Sequence, residues 1–124
     1  MVKALFDTNI LIDFLGGLPE ARKELGRYDD VAVSIVSWME VMVGAPRDMA
    51  DATRAFLGRF ELVGLDRDIA EAAVEIRQAH GMKLPDAIVW ASARCQGRLL
   101  VTRDVKDFPA GEPGVRTPYV VKRS

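Results

Sequence analysis

The sequence predicts an α/β fold with a mostly parallel central sheet and helices on both faces of that sheet. Short apolar segments alternate with amphipathic ones along the 124 residues, which is the pattern of strand–helix–strand units. Two of the apolar segments end directly on small polar and acidic residues, as strands do at a ligand-binding edge. No internal repeat or linker divides the chain, so we expect one domain spanning residues 1–124.

The composition is that of an ordinary globular protein and excludes several kinds of function. The formal net charge is −1, whereas a protein that binds nucleic acid by charge alone is usually more basic. No apolar segment is long enough to span a bilayer and no signal-like segment begins the chain, so we expect neither a membrane partner nor export. The single Cys95 excludes an internal disulfide and a cysteine zinc cluster, which suits the reducing cytoplasm; we expect it to be buried. The single His80 excludes a ribonuclease that uses two imidazoles.

The order of elements follows from apolar periodicity and from the residues that begin and end helices. Ser34 and Asp66 are expected to cap the helices that follow them. Asp13 is interpreted as the solvent-facing residue of the first helix, with some chance that it borders the cleft beside Asp7. The predicted strands are 4–7, 31–33, 60–63 and 99–101, with a last extended piece at 118–121; the predicted helices are 9–15, 19–25, 35–43, 48–60, 66–79 and 85–93, with a further helical turn at 107–109.

Four acids are expected to meet at one edge of this sheet. Asp7 ends the first strand and Asp104 follows the fourth, and these strands can be neighbours where the strand order reverses. Asp86 lies in the first turn of the helix that leads into the fourth strand. Glu40 is the only acid of a helix that is apolar nearly all round and therefore reads as buried. Its polar stripe, which includes Ser37, is interpreted as facing a polar cleft.

Clustered carboxylates indicate a particular chemistry. They repel one another unless their pKa values are raised or cations bind between them. Hard oxygen ligands without histidine or cysteine nearby select Mg²⁺ or Mn²⁺ rather than zinc. Mg²⁺ takes few carboxylates and leaves positions for phosphate oxygens and a nucleophilic water, which is the equipment for phosphodiester hydrolysis. Arg103, Lys106 and Lys83, on predicted loops beside the acids, are candidate contacts to backbone phosphates.

Four short motifs carry a family resemblance. They are LFDTNIL at 5–11, SIVSWMEVMVG at 34–44, LPDAI at 84–88 and LVTRDVKDF at 100–108. In this order and at this spacing they resemble a PIN domain, and at this length a VapC-type toxin of a type II toxin–antitoxin system. Each motif is short and degenerate, but four in register are specific, and together they cover nearly the whole chain.

The resemblance implies a three-layer PIN-like fold and a Mg²⁺- or Mn²⁺-dependent endoribonuclease. It further implies a homodimer that acts on RNA and is held inactive by a VapB-like antitoxin protein. Carried over position by position, the metal-binding catalytic acids are Asp7, Glu40, Asp86 and Asp104. The residues implied to assist them by binding substrate or orienting ligands are Thr8, Asn9, Ser37, Thr102, Arg103 and the auxiliary acid Asp107.

Two alternatives remain open on the sequence. A receiver domain of a signalling protein has similar length and strand alternation, and it uses an acidic Mg²⁺ pocket. Receiver domains normally carry adjacent acids after the first strand and a lysine after the fifth, whereas Asp7 stands alone and Glu40 falls inside a helix. The second alternative is a PIN-like module without activity that only binds RNA or protein, against which the intact set of acids argues.

Overall fold

The computed structural model describes residues 1–109 and 111–121, and within them the chain forms one five-stranded sheet flanked by helices. The strand order is β3-β2-β1-β4-β5 and every pairing is parallel. The α/β class and the parallel sheet predicted from the sequence are therefore confirmed. The strands are β1 Lys3–Phe6, β2 Asp30–Ser34, β3 Glu61–Val63, β4 Leu99–Val101 and β5 Val115–Arg116; the helices are α1 Thr8–Leu15, α2 Pro19–Leu25, α3 Ile35–Gly44, α4 Ala50–Leu57, α5 Arg67–His80 and α6 Leu84–Cys95.

The central strand β1 lies between β2 and β4, and its adjacency to β4 is the one predicted for the first and fourth strands. Leu5 pairs with Ala32 on one side and with Leu100 on the other, and all three are fully buried. A strand buried on both faces must be apolar throughout, which explains the unbroken run before Asp7. The Asp7 amide donates to the Val101 carbonyl at 2.9 Å. The ladder thus continues one residue beyond β1 and fixes Asp7 at the carboxyl edge of the sheet.

Side chains that alternate along β1 enter two separate cores. Leu5 packs into a core with Ile76 of α5 and Trp90 of α6. Phe6 points to the opposite face and packs with Ile10 of α1 and with Leu57. Because successive strand residues face opposite sides, one short strand anchors helices on both faces and gives three layers.

Helix caps occur where the sequence predicted them. The Ser34 hydroxyl accepts from the Val36 amide at 3.1 Å, and the Asp66 carboxylate accepts from the Ile69 amide at 2.9 Å. Each satisfies an amide that the first turn of a helix leaves without a partner. None of the helices in the described part of the chain combines the length and the apolarity needed to cross a membrane.

Several predicted elements differ from the structure. The helix predicted at 48–60 is a 3₁₀ turn at Arg47–Met49 followed by the shorter α4. The helical turn predicted at 107–109 is a single turn at residues 105–107, closed by a hydrogen bond of 3.2 Å from the Phe108 amide to the Asp104 carbonyl. The extended piece predicted at 118–121 is not a strand; the last strand is β5, which follows Gly114 with φ 82° and pairs with β4. Cys95 was predicted to be buried but is exposed at the end of α6.

Candidate active site

The carboxyl edge of the sheet brings the predicted acids together. Asp7 follows β1, Glu40 lies on α3, Asp86 lies in the first turn of α6, and Asp104 and Asp107 lie on the loop after β4. The charges of Asp86 and Glu40 add to the rise in the Asp7 pKa. Those of Asp107, Asp104 and Glu40, after burial, raise the Asp86 pKa. All five carboxylates therefore share one electrostatic neighbourhood.

Asp7 is the most enclosed of these acids, with 5% of its surface exposed. Its Oδ1 accepts from the Thr8 amide at 2.8 Å, and its Oδ2 accepts from the Thr102 hydroxyl at 2.9 Å and from Asn9 Nδ2 at 3.3 Å. Burial raises the pKa of Asp7 to about 6, although the hydrogen bonds from Thr102 and Thr8 oppose that rise. The side chain is thus held in one orientation in a setting that penalises its charge.

The polar stripe of α3 faces this site, as predicted. Thr8 Oγ1 lies 2.7 Å from Glu40 Oε1 and 2.9 Å from the hydroxyl of the buried Ser37. Thr8 therefore joins the start of α1 to α3 and fixes one oxygen of Glu40. The expectation that α3 is buried all round is wrong, because Met39 and Val43 are 48% and 87% exposed.

The loop after β4 is organised by hydrogen bonds to its own acids and hydroxyl. Thr102 Oγ1 accepts from the Asp104 amide at 3.0 Å while it donates to Asp7. Asp104 Oδ1 accepts from the amides of Lys106 at 3.1 Å and Asp107 at 3.2 Å. One Asp104 oxygen is thus committed to the loop. Asp107, expected to be auxiliary, is the acid whose charge raises the pKa of Asp86 most.

The three candidate phosphate contacts differ in their surroundings. Lys106 and Lys83 are exposed, and the Lys83 charge lowers the pKa of Asp86 against the larger effects that raise it. Arg103 instead forms two hydrogen bonds to Asp13, at 2.5 and 3.1 Å. Within residues 1–109 and 111–121, none of the five site carboxylates forms an ion pair with a basic side chain.

Asp13, interpreted from the sequence as the solvent-facing residue of the first helix, is largely enclosed in the structure. Its side chain is only 12% exposed, because Arg103 and Tyr119 enclose its carboxylate. Asp13 follows Asn9 by four residues, so the two lie on one face of α1. That spacing was the available sequence signal that Asp13 faces the site. Tyr119 gave no such signal, since it lies outside any periodic element.

The donor set suits a hard divalent cation. It consists of carboxylate oxygens with hydroxyl and amide groups behind them, and Mg²⁺ and Mn²⁺ prefer such ligands. In the part of the chain described, no three or more Asp, Glu, His or Cys side chains are close enough to form a ready-made metal cage. Mg²⁺ needs only one or two protein carboxylates and retains several waters, so an open acidic edge fits it better than a closed cage would.

The PIN-domain family model matches residues 4–110 of the chain. The chain belongs to the PIN-domain family. One solved structure similar to this PIN domain is a toxin–antitoxin complex from Klebsiella pneumoniae, with 47% sequence identity and a TM-score of 0.91. The match covers 96% of this chain and 100% of the Klebsiella chain. The resemblance to VapC-type toxins predicted from four motifs is confirmed.

More distant structures share the fold of this PIN domain. A DNA-bound VapBC from Salmonella typhimurium is 22% identical, with a TM-score of 0.76 and coverage of 94% of this chain and 96% of that one. VapBC2 from Rickettsia felis, solved with a promoter DNA fragment, is 18% identical, with a TM-score of 0.74 and coverage of 87% and 91%. At these identities the likeness concerns the fold alone. No curated protein matches the sequence.

Proposed function

We propose that this PIN domain is a Mg²⁺- or Mn²⁺-dependent endoribonuclease that acts in the cytoplasm as the toxin of a toxin–antitoxin pair. The observation that carries the proposal is the convergence of five carboxylates at the sheet edge, none paired with a basic side chain of the described residues. Such a cluster is electrostatically costly unless a cation or protons neutralise it. The similarity to the Klebsiella toxin–antitoxin chain supports the biological role.

Each acid has a defined part in the proposed reaction. Asp7 and Asp86 hold the cation, and Glu40 and Asp104 complete its surroundings. When bound, Mg²⁺ or Mn²⁺ supplies polarisation of the phosphoryl group and hydroxide near neutral pH. The proposed in-line attack on an RNA phosphodiester leaves a 5′-phosphate and a 3′-hydroxyl.

Hydroxyl and amide groups keep Asp7 and Glu40 in position. Thr102 and the Thr8 amide hold the two oxygens of Asp7. The Thr8 hydroxyl holds Glu40. Mutation of residues that orient metal ligands in this way typically lowers metal affinity or activity by roughly 10- to 100-fold. Lys83 and Lys106 are exposed beside the acids and are the proposed contacts to flanking phosphates.

The proposed partner is an antitoxin protein, as in the Klebsiella complex. A mainly apolar groove of about 420 Å³ opens between α1 and the connection from α3 to α4, and its lining includes Ile12, Val41 and Met49. The groove begins one helical turn beyond the contact between Thr8 and Glu40. An apolar segment of the antitoxin that docks there would lie beside the acids. A homodimer, as the family implies, completes the proposed assembly.

The nuclease proposal is tested with purified protein and structured RNAs, with Mg²⁺ or Mn²⁺ and with EDTA. We expect cleavage only with metal, and its loss in Asp86→Asn, which keeps the shape of the side chain and removes its charge. The charge-matched control is Asp51→Asn, a fully exposed acid on α4, which should cleave normally. Cleavage in EDTA, or by Asp86→Asn at the wild-type rate, contradicts the mechanism.

The toxin role is tested in cells and in solution. Expression without antitoxin should arrest growth, and Asp7→Asn should not. The protein encoded by the adjacent reading frame should bind the purified toxin, and Ile12→Asp with Met49→Asp should weaken that binding at least tenfold. Val74→Asp, at a half-exposed apolar site on α5, is the matched control. Unchanged binding by the groove variant places the partner elsewhere.

A further inference from the structure

We propose that Asp13, Arg103 and Tyr119 form a positioning unit that holds the loop at residues 102–107 against α1, and that Arg103 is not a phosphate contact. The inference rests on the proposed nuclease function, because that loop carries Asp104 and Asp107. It differs from the interpretation of Arg103 suggested by the sequence, in which the guanidinium contacts RNA.

The unit is centred on the Asp13 carboxylate. Arg103 donates to both of its oxygens, from Nε at 2.5 Å and from a terminal nitrogen at 3.1 Å. The Tyr119 hydroxyl donates to the same Asp13 Oδ2 at 2.8 Å. A guanidinium in a two-point contact with a carboxylate is fixed in orientation as well as neutralised. Arg103 therefore has little freedom or net charge to offer a phosphate.

The same helix holds the loop at a second point one turn earlier. The Asn9 side chain accepts from the Arg103 amide at 3.4 Å and donates to Thr102 and Asp7 at 3.3 Å. Asn9 and Asp13 are four residues apart on α1 and so face the same way. Asn9 thus binds the backbone of Arg103 beside the acids, and Asp13 binds the side chain of Arg103.

Hydrogen bonds of Thr102 connect the unit to the acids. Thr102, which directly precedes Arg103, donates to Asp7 and accepts from the Asp104 amide. A shift of the loop would therefore move Asp104 relative to Asp7. Misplacement by about 1 Å can cost roughly 100-fold in rate. The effect expected from loosening the unit is on the catalytic step.

A second triad of the same chemistry provides a matched control. Glu24 on α2 accepts from Arg116 of β5 at 2.7 and 3.1 Å and from the Tyr28 hydroxyl at 2.8 Å. It too joins a carboxylate of an early helix to an arginine of the C-terminal part of the chain. None of its members hydrogen-bonds to the five site acids.

The experiment compares Asp13→Asn, Arg103→Lys, their double variant and Tyr119→Phe with Tyr28→Phe in the control triad. We expect Asp13→Asn and Arg103→Lys each to lower kcat with Mn²⁺ by roughly 10- to 100-fold while KM for RNA stays within about twofold. The double variant should match the single ones, because both remove one contact. Tyr119→Phe should lower kcat less, and Tyr28→Phe should leave kcat unchanged.

Hydrogen exchange of the metal-free protein gives a readout that needs no activity. The amides of Lys106 and Asp107, which donate to Asp104, should exchange at least tenfold faster in Asp13→Asn than in wild type. They should keep the wild-type rate in Tyr28→Phe. If wild-type protein does not cleave RNA, the nuclease proposal fails, and these exchange rates still decide whether the unit holds the loop.

A phosphate contact at Arg103 predicts a different pattern. Arg103→Lys would then retain most activity, since lysine also binds phosphate, and Asp13→Asn would release the guanidinium and lower KM. Loss of the contact would also weaken the salt dependence of RNA binding by about one ion. That pattern, or additive effects in the double variant with unchanged amide exchange, overturns the proposal.

Discussion

The acids differ between the amino edge of the sheet, where the strands begin, and the carboxyl edge, where the strands end. At the amino edge, the guanidinium of Arg98, only 2% exposed, lies between two acids: it donates to Asp30 at 2.7 Å and to Glu61. At the carboxyl edge, Asp7 is as deeply enclosed but is surrounded by other carboxylates, which raise its pKa further. The two amino-edge acids share one buried guanidinium, whereas no basic side chain of the described residues pairs with the carboxyl-edge acids.

The difference separates acids that hold the fold from acids that are available for chemistry. Asp30 and Glu61 compensate the buried charge of Arg98, so their role is to stabilise that cation within the fold. At the carboxyl edge, hydrogen-bond donors fix the orientation of Asp7, Glu40 and Asp104. No basic side chain of the described residues forms an ion pair with any of the five acids there. Preorganised, uncompensated carboxylates are what a divalent cation site requires, and the comparison is therefore the basis of the functional proposal.

The largest effect is expected from neutralising the amino edge. Asp30→Asn with Glu61→Gln leaves the Arg98 guanidinium buried without a carboxylate, so we expect the free energy of unfolding to fall by about 3–5 kcal/mol. Denaturant titration measures this. RNA cleavage per folded molecule should not change. A stability loss below about 1 kcal/mol would mean that solvent reaches Arg98 and would remove the contrast between the edges.

A smaller effect on the free energy of unfolding is expected from Asp7, whose charge destabilises the fold instead of stabilising it. Its pKa is raised from 3.8 to about 6 in the folded protein, so between these values the folded chain holds a proton that the unfolded chain has lost. The contribution of Asp7 to the stability of the metal-free protein should therefore be greatest below the lower value, and about 3 kcal/mol of it should be lost as pH rises through the upper one.

Asp7→Asn should reduce this decline and leave a remainder from Asp86, whose pKa is raised as well. Chemical denaturation at a series of pH values, in EDTA, makes the measurement. Asp51→Asn should keep the full decline, because that side chain is fully exposed. The same pH dependence in wild type and in Asp7→Asn would mean that burial does not penalise the charge of Asp7.

The smallest effect is expected from the groups that orient the acids. Thr8→Val keeps the shape of the side chain and removes the hydroxyl that lies 2.7 Å from Glu40. We expect the rate of RNA cleavage to fall about tenfold, or about 1.4 kcal/mol. Ser92→Ala removes a hydroxyl that donates to the Ile88 carbonyl within α6 and should not change the rate. Equal rates of RNA cleavage for both variants would mean that the Thr8 hydroxyl does not orient Glu40 for catalysis.

The acidic edge could be predicted from sequence because its signals are local. A buried parallel strand is apolar throughout, so the acid that ends it is conspicuous, and parallel strands place their ends at one edge. Asp7 is recognisable on those grounds, and Asp86 by its place in the first turn of the helix that leads into β4. The adjacency of β1 and β4, which brings Asp104 beside Asp7, follows from the strand order.

The parts that could not be predicted depend on distant contacts. The burial of Asp13 requires Arg103 and Tyr119, which are 90 and 106 residues away along the chain. The two-residue strand β5 is too short to show any periodicity, and its pairing with β4 defines it. Arg98 precedes a strand like any surface cation, and only the folded chain shows that two acids enclose it.

The central claim is that the carboxyl-edge acids bind a divalent cation from solution, whereas the amino-edge acids do not. Isothermal titration of Mn²⁺ tests it directly in wild type, in Asp86→Asn and in the variant with Asp30→Asn and Glu61→Gln. We predict binding by wild type and by the amino-edge variant with equal affinity, and at least tenfold weaker binding by Asp86→Asn. No binding by wild type, or equal binding by Asp86→Asn, would contradict the account.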